Sequence, residues 1–252
     1  MDPYILIELF IITFVLGIID SAYGQGYGTI GTPLLLLIGI PSKTAIPIIL
    51  FSQFILGTMS SIMHHRLKNI DLSSRKTHDT KRFMIFGVTG LISVVAASII
   101  GATLPSIIVR YYIGIMVTAV GILILINFRL KFTWLKASII GIISAFNKGL
   151  TGGGYGPIVT GGQTIIGVDG KSSVGITLSS VAIICLAGFI TWAVVHPVPP
   201  MDMLLVTALS GISSPFIGAR ITKLSGSLRF KYIIGSIILI LGLATLAGIA
   251  RS

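Results

Sequence analysis

Long apolar stretches separated by short polar segments occupy almost the whole chain. A helix that spans a bilayer needs about 20 predominantly apolar residues, and eight stretches meet or approach that length. They lie near 4–23, 44–64, 83–103, 107–128, 133–149, 172–195, 202–222 and 231–250. Two further apolar runs, Thr29–Ile40 and Pro157–Val168, are too short to span. This pattern predicts an all-α integral membrane protein with about ten membrane segments, two of them half-length.

Both short runs are preceded by a cluster of glycines that interrupts the apolar pattern. The members are Gly24, Gln25, Gly26, Tyr27 and Gly28 in the first cluster, and Gly152, Gly153, Gly154, Tyr155 and Gly156 in the second. Glycine costs about 1 kcal/mol relative to alanine inside a helix. Each cluster therefore predicts a broken helix, with a long helix before the break and a short half-helix after it.

The two clusters belong to an internal repeat. When the sequence is aligned with itself so that Gly24 pairs with Gly152, the register runs without a gap to the pairing of Ser52 with Ser180. Of these 29 aligned positions, 12 are identical, which is well above the fraction expected for unrelated apolar stretches. We therefore predict two five-segment repeats, over residues 1–128 and 129–252. Because five is odd, the repeats enter the membrane from opposite sides, as in many secondary transporters. The parity is the same if each long helix and its half-helix form a re-entrant pair.

Composition supports a membrane location. The 252 residues are 54% hydrophobic and 10% charged, with a mean hydropathy of +1.01, whereas soluble domains carry about 25% charged residues. These values exclude a soluble enzyme and, despite the net charge of +11, a nucleic-acid-binding protein. The lipid bilayer is thus an expected partner. A homo-oligomer stays open, because apolar surfaces facing lipid and facing a second copy look alike in sequence.

Basic residues between the apolar stretches orient the chain. The segment 65–82 contains six Lys and Arg residues, whereas the loop 196–202 contains none. The positive-inside rule places 65–82 in the cytoplasm. Alternation then puts the basic segments 129–136 and 220–231 on the same side and both termini outside. We expect a multi-pass protein of the plasma membrane with this orientation.

The residues around the two breaks are the candidate substrate site. The N-terminus of a half-helix presents unpaired N–H groups and the positive end of a dipole, which together favour an anion. At the first break we assign substrate binding to Gly24, Gln25, Gly26, Tyr27, Gly28 and Thr29. At the second break we assign it to Asn147, Lys148, Thr151, Gly152, Gly153, Gly154, Tyr155, Gly156 and Gln163. The alternative is that these glycines only let helices pack closely.

Two charged residues lie just before the breaks. The alignment of the two repeats pairs Asp20 with Lys148, each on a long apolar helix. Charges at membrane depth are expensive and usually face a partner or a water-filled path. We expect both near a central cavity, where they either form an ion pair or have separate roles in transport. In the second case Lys148 holds an anionic substrate and Asp20 takes a proton.

Patterns typical of metal sites and enzymes are missing from the sequence. His64, His65 and His78 have no third ligand at helical spacing, and the single Cys185 excludes a disulfide framework or a thiolate cluster. No nucleotide-binding motif occurs either. We therefore predict no catalytic residues, no metal and no cofactor, and we expect Cys185 to be a buried small hydrophobe.

The first glycine cluster and the short run after it resemble the signature of the TauE/SafE family of sulfite exporters. The cluster precedes Thr29–Thr32, Pro33 and a short apolar helix that ends near Gly39-Ile40-Pro41. The second cluster, with Pro157 and Gly167, resembles the second-half motif of that family. The chain departs from the family pattern at Tyr27 and Tyr155, which interrupt a triple glycine, and at Gly161, which replaces a proline.

The resemblance implies a secondary transporter that exports sulfite or an organosulfur anion such as sulfoacetate by alternating access. A small anion as substrate agrees with the half-helix N-termini and with Lys148. Three other hypotheses remain at this point: a carrier for another small organic or inorganic anion, an anion channel, and a membrane enzyme or sensor, for which the sequence offers no catalytic residues.

Overall fold

The computed structural model describes residues 3–74, 77–126, 133–165, 168–224 and 228–250. Within these ranges every regular element is an α-helix. In chain order the helices are α1 (Pro3–Tyr23), α2 (Tyr27–Leu37), α3 (Ser42–Arg66), α4 (His78–Thr103), α5 (Ser106–Ile126), α6 (Trp134–Thr151), α7 (Tyr155–Ile165), α8 (Gly170–Val195), α9 (Met201–Ser213), α10 (Pro215–Leu224) and α11 (Leu228–Ala250). Six spans, one of them formed by α9 and α10 together, are long and apolar enough to cross a membrane. The all-helical membrane fold is therefore confirmed over these ranges.

The helices match the predicted segments except at two places. The helix α4 begins at His78 and not near residue 83, because Thr77 caps it: the amide of Thr80 donates to the Thr77 hydroxyl at 3.2 Å. Part of the basic segment 65–82 is therefore helical. The predicted segment 202–222 is interrupted at Ser214, because Pro215 has no N–H to continue the helix.

Some predictions concern residues outside the described ranges. Arg75, Lys76, Arg129 and Lys131, which contribute to the predicted orientation, are among them, as is the predicted repeat boundary at 128/129.

The helix boundaries follow the offset seen in the sequence. The half-helix α2 begins at Tyr27 and α7 begins at Tyr155, which are paired positions in the alignment of the two repeats. The start of α3 at Ser42 and the start of α8 at Gly170 are paired in the same way. The two helices that follow each glycine cluster thus begin at equivalent positions in both halves of the chain.

The first half-helix turns back toward the start of α1. A cavity of about 290 Å³ is lined by Ile5 and Glu8 of α1, by the residues 38–41 that follow α2, and by Pro200 and Met203 at the start of α9. The start of α1 and the end of α2 therefore lie at the same end of the molecule, and the two helices form a hairpin.

The opposite end of the molecule holds the end of α3 and the start of α8. The Ser172 hydroxyl approaches the Asn69 carbonyl at 3.5 Å, and Lys171 Nζ donates to the Lys223 carbonyl at 3.1 Å. The helices α3 and α8 are therefore antiparallel, and the end of α10 lies beside the start of α8.

Glycines bring α5 and α11 into backbone contact. A Cβ added to Gly121 of α5 would lie 2.7 Å from the amide nitrogen of Leu239 in α11. A Cβ on Gly242 of α11 would lie 2.6 Å from the amide nitrogen of Thr118 in α5. Small residues at such crossings give the tight packing that holds membrane helices together.

Candidate functional site

Gln53 connects Asp20 to Lys148. Its Nε2 donates to Asp20 Oδ2 at 2.8 Å, and its Oε1 accepts a hydrogen bond from Lys148 Nζ. Both charged side chains are only 1% exposed, and Gln53 is 3% exposed. Gln53 is the twelfth of the 25 residues of α3, so the link lies near the middle of a spanning helix. The expected proximity of Asp20 and Lys148 is thus present, with an amide side chain between them.

Asp20 lies at the N-terminus of the first half-helix. The amide of Tyr27, the first residue of α2, donates to Asp20 Oδ1 at 3.3 Å. Gly24 and Gly26 turn the chain between α1 and α2 with φ values of 67° and 118°, which side chains disfavour. A carboxylate beside a helix N-terminus is stabilised by the helix dipole. The first break therefore carries an anion supplied by the protein itself.

The second break carries a cation at the equivalent place. Lys148 Nζ donates to the carbonyl of Gly152 at 2.5 Å, and the thiol of Cys185 on α8 is a further neighbour of this ammonium. Gly152 and Gly154 turn the chain with φ values of 74° and 82°. Here no carboxylate occupies the position of Asp20, because Lys148 stands there.

The two breaks pack directly against each other. A Cβ added to Gly28 would overlap the carbonyl oxygen of Gly152. The equivalent contact in the other half joins Gly156 to Gly24, where an added Cβ would lie 2.6 Å from the Gly24 oxygen. Only glycine at these positions lets the two broken helices approach so closely.

Side-chain hydroxyls also cross between the breaks. The Gly154 amide donates to the hydroxyl of Thr29 at 3.0 Å. The Thr160 hydroxyl donates to the Gly24 carbonyl at 2.8 Å. Backbone groups freed by the two breaks thus find partners on the opposite break, as a membrane interior requires.

The other predicted site residues differ in how close they lie to this centre. Asn147 accepts a hydrogen bond at 2.6 Å from Tyr112 of α5, and Thr151 accepts one at 3.0 Å from the Gly153 amide. Gln25 is half-buried, whereas Tyr27 and Tyr155 are fully buried. Gln163 donates to Thr177 on α8 at 3.1 Å and lies about 12 Å along α7 from Tyr155. Gln163 thus belongs to the packing of α7 on α8.

The loop after α3 contains a carboxyl group outside the membrane segments. The amide and the hydroxyl of Ser73 donate to Asp71 Oδ1 at 2.9 and 2.6 Å, and they lower the pKa of this carboxyl from its usual value.

Over the described residues, no three His, Cys, Asp or Glu side chains lie close enough together to hold a metal ion.

The family comparison agrees with this geometry. A family model described as sulfite exporter TauE/SafE matches residues 9–245, a range that contains both breaks, Asp20, Gln53 and Lys148. The chain belongs to this family. The resemblance based on the glycine clusters is thereby confirmed, and the protein is a multi-pass membrane protein of a transporter family. Neither the curated proteins nor the solved structures compared with the chain gave a match.

In this TauE/SafE chain, three residues beside the predicted site were not assigned to it from the sequence. Gln53 does carry a signal in the sequence, since an amide in the middle of an apolar spanning helix needs a polar partner. Cys185 and Tyr112 gave no signal, because a small apolar thiol and an aromatic ring are ordinary in membrane helices. Cys185 is buried as expected, but it lies against the ammonium of Lys148.

Proposed function

We propose that this TauE/SafE chain is a secondary carrier that exports a small sulfur-containing anion, either sulfite or an organosulfonate such as sulfoacetate. The proposal is carried by Lys148, a fully buried ammonium beside the second break, halfway along the spanning helices. Burying a charge is expensive unless it has a task or a partner, and its neighbour Gln53 is neutral.

The substrate site in this proposal is the N-terminus of α7 together with Lys148. The corresponding position in the first half is occupied by Asp20, whose carboxylate accepts from the Tyr27 amide. Replacing that internal anion by a lysine leaves an N-terminal dipole and a cation that has no carboxylate in direct contact, since Gln53 lies between Lys148 and Asp20. An external anion satisfies both, because helix N-termini and lysine each favour negative charge.

The proposed transport cycle rests on two inverted repeats, over residues 1–128 and 129–252. In this division α6 corresponds to α1, and the α9–α10 pair corresponds to α4. The packing of α1 against α10 and of α6 against α4 is consistent with that correspondence. The alignment pairs Gly28 with Gly156 and Gly24 with Gly152. The contact between Gly28 and Gly152 therefore corresponds to the contact between Gly156 and Gly24. Rocking one repeat against the other would then expose the site to each side in turn.

The closed arrangement around the site also supports a carrier. Asp20 and Lys148 are each 1% exposed, so an anion reaches Lys148 only after helices move. A channel would present a continuous path to the site. Export is the proposed direction because the family is described as one of sulfite exporters.

Counterflow in proteoliposomes tests the proposal. Vesicles preloaded with unlabelled sulfite, sulfoacetate, sulfate or acetate are diluted into a trace of the same labelled anion. We expect saturable exchange of the sulfur anions without large conductance. Exchange of acetate alone would support a carrier for another anion, and conductance without counterflow would support a channel.

Two lysine variants make the assay specific to the site. Lys148→Ala is expected to abolish exchange, whereas Lys43→Ala should leave it unchanged. Lys43 is a matched control because it lies at the start of α3, near one end of the molecule, whereas Gln53 and Lys148 meet near the middle of that helix. Unchanged exchange in Lys148→Ala would contradict the assigned site while leaving the carrier function intact.

A further inference from the structure

The Lys148 ammonium donates hydrogen bonds to two acceptors of the protein, the Gly152 carbonyl and the side chain of Gln53. An ammonium group has three N–H bonds and no acceptor. Gln53 accepts through Oε1, and the thiol of Cys185 lies nearby. The Gly152 carbonyl is fixed in the backbone, and the thiol is a weak acceptor. An anion that binds Lys148 therefore competes mainly with the movable amide of Gln53.

Displacing Gln53 also affects Asp20. The oxygen and nitrogen of the Gln53 amide belong to one planar group, so a rotation that withdraws Oε1 from Lys148 also withdraws Nε2 from Asp20 Oδ2. Asp20 then keeps only the Tyr27 amide at 3.3 Å. At the same time the bound anion neutralises the positive charge that faces Asp20.

We propose that Gln53 is the positioning residue that couples anion binding at Lys148 to protonation of Asp20, so that a proton is carried with the anion. The coupling rests on the proposed carrier function. Before binding, Asp20 and Lys148 sum to zero charge; a monovalent anion makes the sum −1, and one proton restores zero. A buried carboxylate that has lost a donor and its counter-charge is costly, and protonation removes that cost.

The proton comes from the solution on the open side of the carrier. An O–H bond forms on one oxygen of Asp20, and the water or buffer acid that supplied the proton is left as its conjugate base. The titratable groups that face Asp20 are Lys148 on α6, Tyr27 on α2 and Cys185 on α8. Ser21 follows Asp20 in the chain, and its carbonyl oxygen lies 2.9 Å from Nε2 of His64 on α3. Among these groups, Asp20 alone is linked to Lys148 through Gln53.

Proton uptake on anion binding is the direct test. Sulfite and sulfoacetate are added separately to purified protein in weak buffer with a pH indicator, and Lys148→Ala supplies the blank for the buffering of each anion. We expect about one proton per bound anion in the wild type, and a dissociation constant that rises about tenfold per pH unit where coupling is complete. Anion binding without proton uptake would overturn the coupling.

Variants distinguish coupling from a structural role. Gln53→Met keeps the length of the side chain and removes both hydrogen bonds, so we expect exchange to persist with less than half of the wild-type proton uptake and a flatter pH profile. Asp20→Asn should take up no proton. Ser60→Ala, at another buried polar position of α3, should behave as the wild type. Wild-type proton uptake and pH slope in Gln53→Met would refute the role of Gln53.

The experiments distinguish failure of the proposed carrier function from failure of the proton coupling. If neither sulfur anion exchanges in counterflow, the proposed function and the coupling both fall. If exchange occurs and no proton accompanies it, the carrier stands and the coupling alone is refuted. Should Gln53→Met not yield folded protein, Gln53→Leu provides a second variant. It also removes both hydrogen bonds without adding a charge, and the same loss of proton uptake is expected.

Discussion

His64 and Trp192 are separated by the same number of residues as Gly24 and Gly152, and each donates a ring N–H to a carbonyl in the last turn of a helix that ends at a break. His64 Nε2 lies 2.9 Å from the Ser21 oxygen in α1, and Trp192 Nε1 lies 2.9 Å from the Gly149 oxygen in α6. Ser21 and Gly149 are separated by the same number of residues. A carbonyl only accepts, so Nε2 of His64 carries the hydrogen and Nδ1 accepts from Asn69. Different ring systems thus perform the same task in the two halves.

Removing either ring donor should destabilise the helix end that precedes the corresponding break. We expect Trp192→Phe and His64→Phe each to lower the free energy of unfolding by about 1–3 kcal/mol, because a buried carbonyl loses its partner. Unfolding in mixed detergent micelles measures this effect. Val194→Ala, at an exposed position of α8 near Trp192, is the control and should change little. Equal stability of Trp192→Phe and Val194→Ala would show that the Gly149 hydrogen bond contributes nothing.

Gly28→Ala should prevent the two breaks from packing together. The new methyl group would overlap the Gly152 oxygen and lie 2.6 Å from Lys148 Nζ, so the backbone would have to move. We expect little folded protein and no anion exchange. Gly161→Ala is the matched control, since an added Cβ there meets nothing within 4 Å. In that variant helix propensity should stabilise α7 by up to about 1 kcal/mol. Similar yields of the two variants would contradict the close contact.

Single-cysteine labelling can determine the orientation that loop charges predict. In a Cys185→Ser background, Ser73→Cys and Val198→Cys place thiols at exposed positions in the loop after α3 and the loop before α9. We expect a membrane-impermeant maleimide to label Val198→Cys in intact cells, and Ser73→Cys only after permeabilisation. The reverse pattern would place residues 65–82 outside and contradict the predicted orientation.

The sequence could predict most of the helices, because their apolar lengths and the glycine clusters are local signals. The offset between the repeats even anticipates which helix ends correspond, such as Tyr27 with Tyr155. Two boundaries were missed: the Thr77 cap hides a helix start among polar residues, and Pro215 interrupts a run that hydropathy sees as continuous. Those errors arise because hydropathy averages over a window and ignores single hydrogen bonds.

The candidate site was only partly predictable for a different reason. Asp20 and Lys148 were identified because isolated charges in apolar helices are rare. The bridge through Gln53 depends on how α1, α3 and α6 pack, and a sequence does not specify side-chain distances between helices. The same holds for Cys185, whose importance comes only from the ammonium beside it.

The buried charges should stabilise the protein as a pair and not singly. Lys148→Met leaves the carboxylate of Asp20 without its counter-charge, and we expect unfolding to become easier by about 3–5 kcal/mol. The double variant Asp20→Asn/Lys148→Met removes both charges and should recover most of that loss. A double-mutant cycle in mixed micelles measures the coupling. Additive effects of the two substitutions would show that Asp20 and Lys148 do not interact through Gln53.

Cys185 provides a natural probe of the site, because it is the only cysteine of the chain and is fully buried against Lys148. A small thiol reagent reaches it only when the carrier opens, so we expect labelling to be slow. Bound sulfoacetate should slow it further, since the anion would lie between the solvent and the thiol.

In Lys148→Ala this protection should disappear while labelling itself continues, which separates loss of binding from loss of opening. Protection of equal strength by acetate would show that the effect does not come from a sulfur-anion site, and labelling unaffected by any anion would place the substrate away from Lys148. Because the readout is modification of one thiol and not transport, the experiment tests the location of the site independently of counterflow.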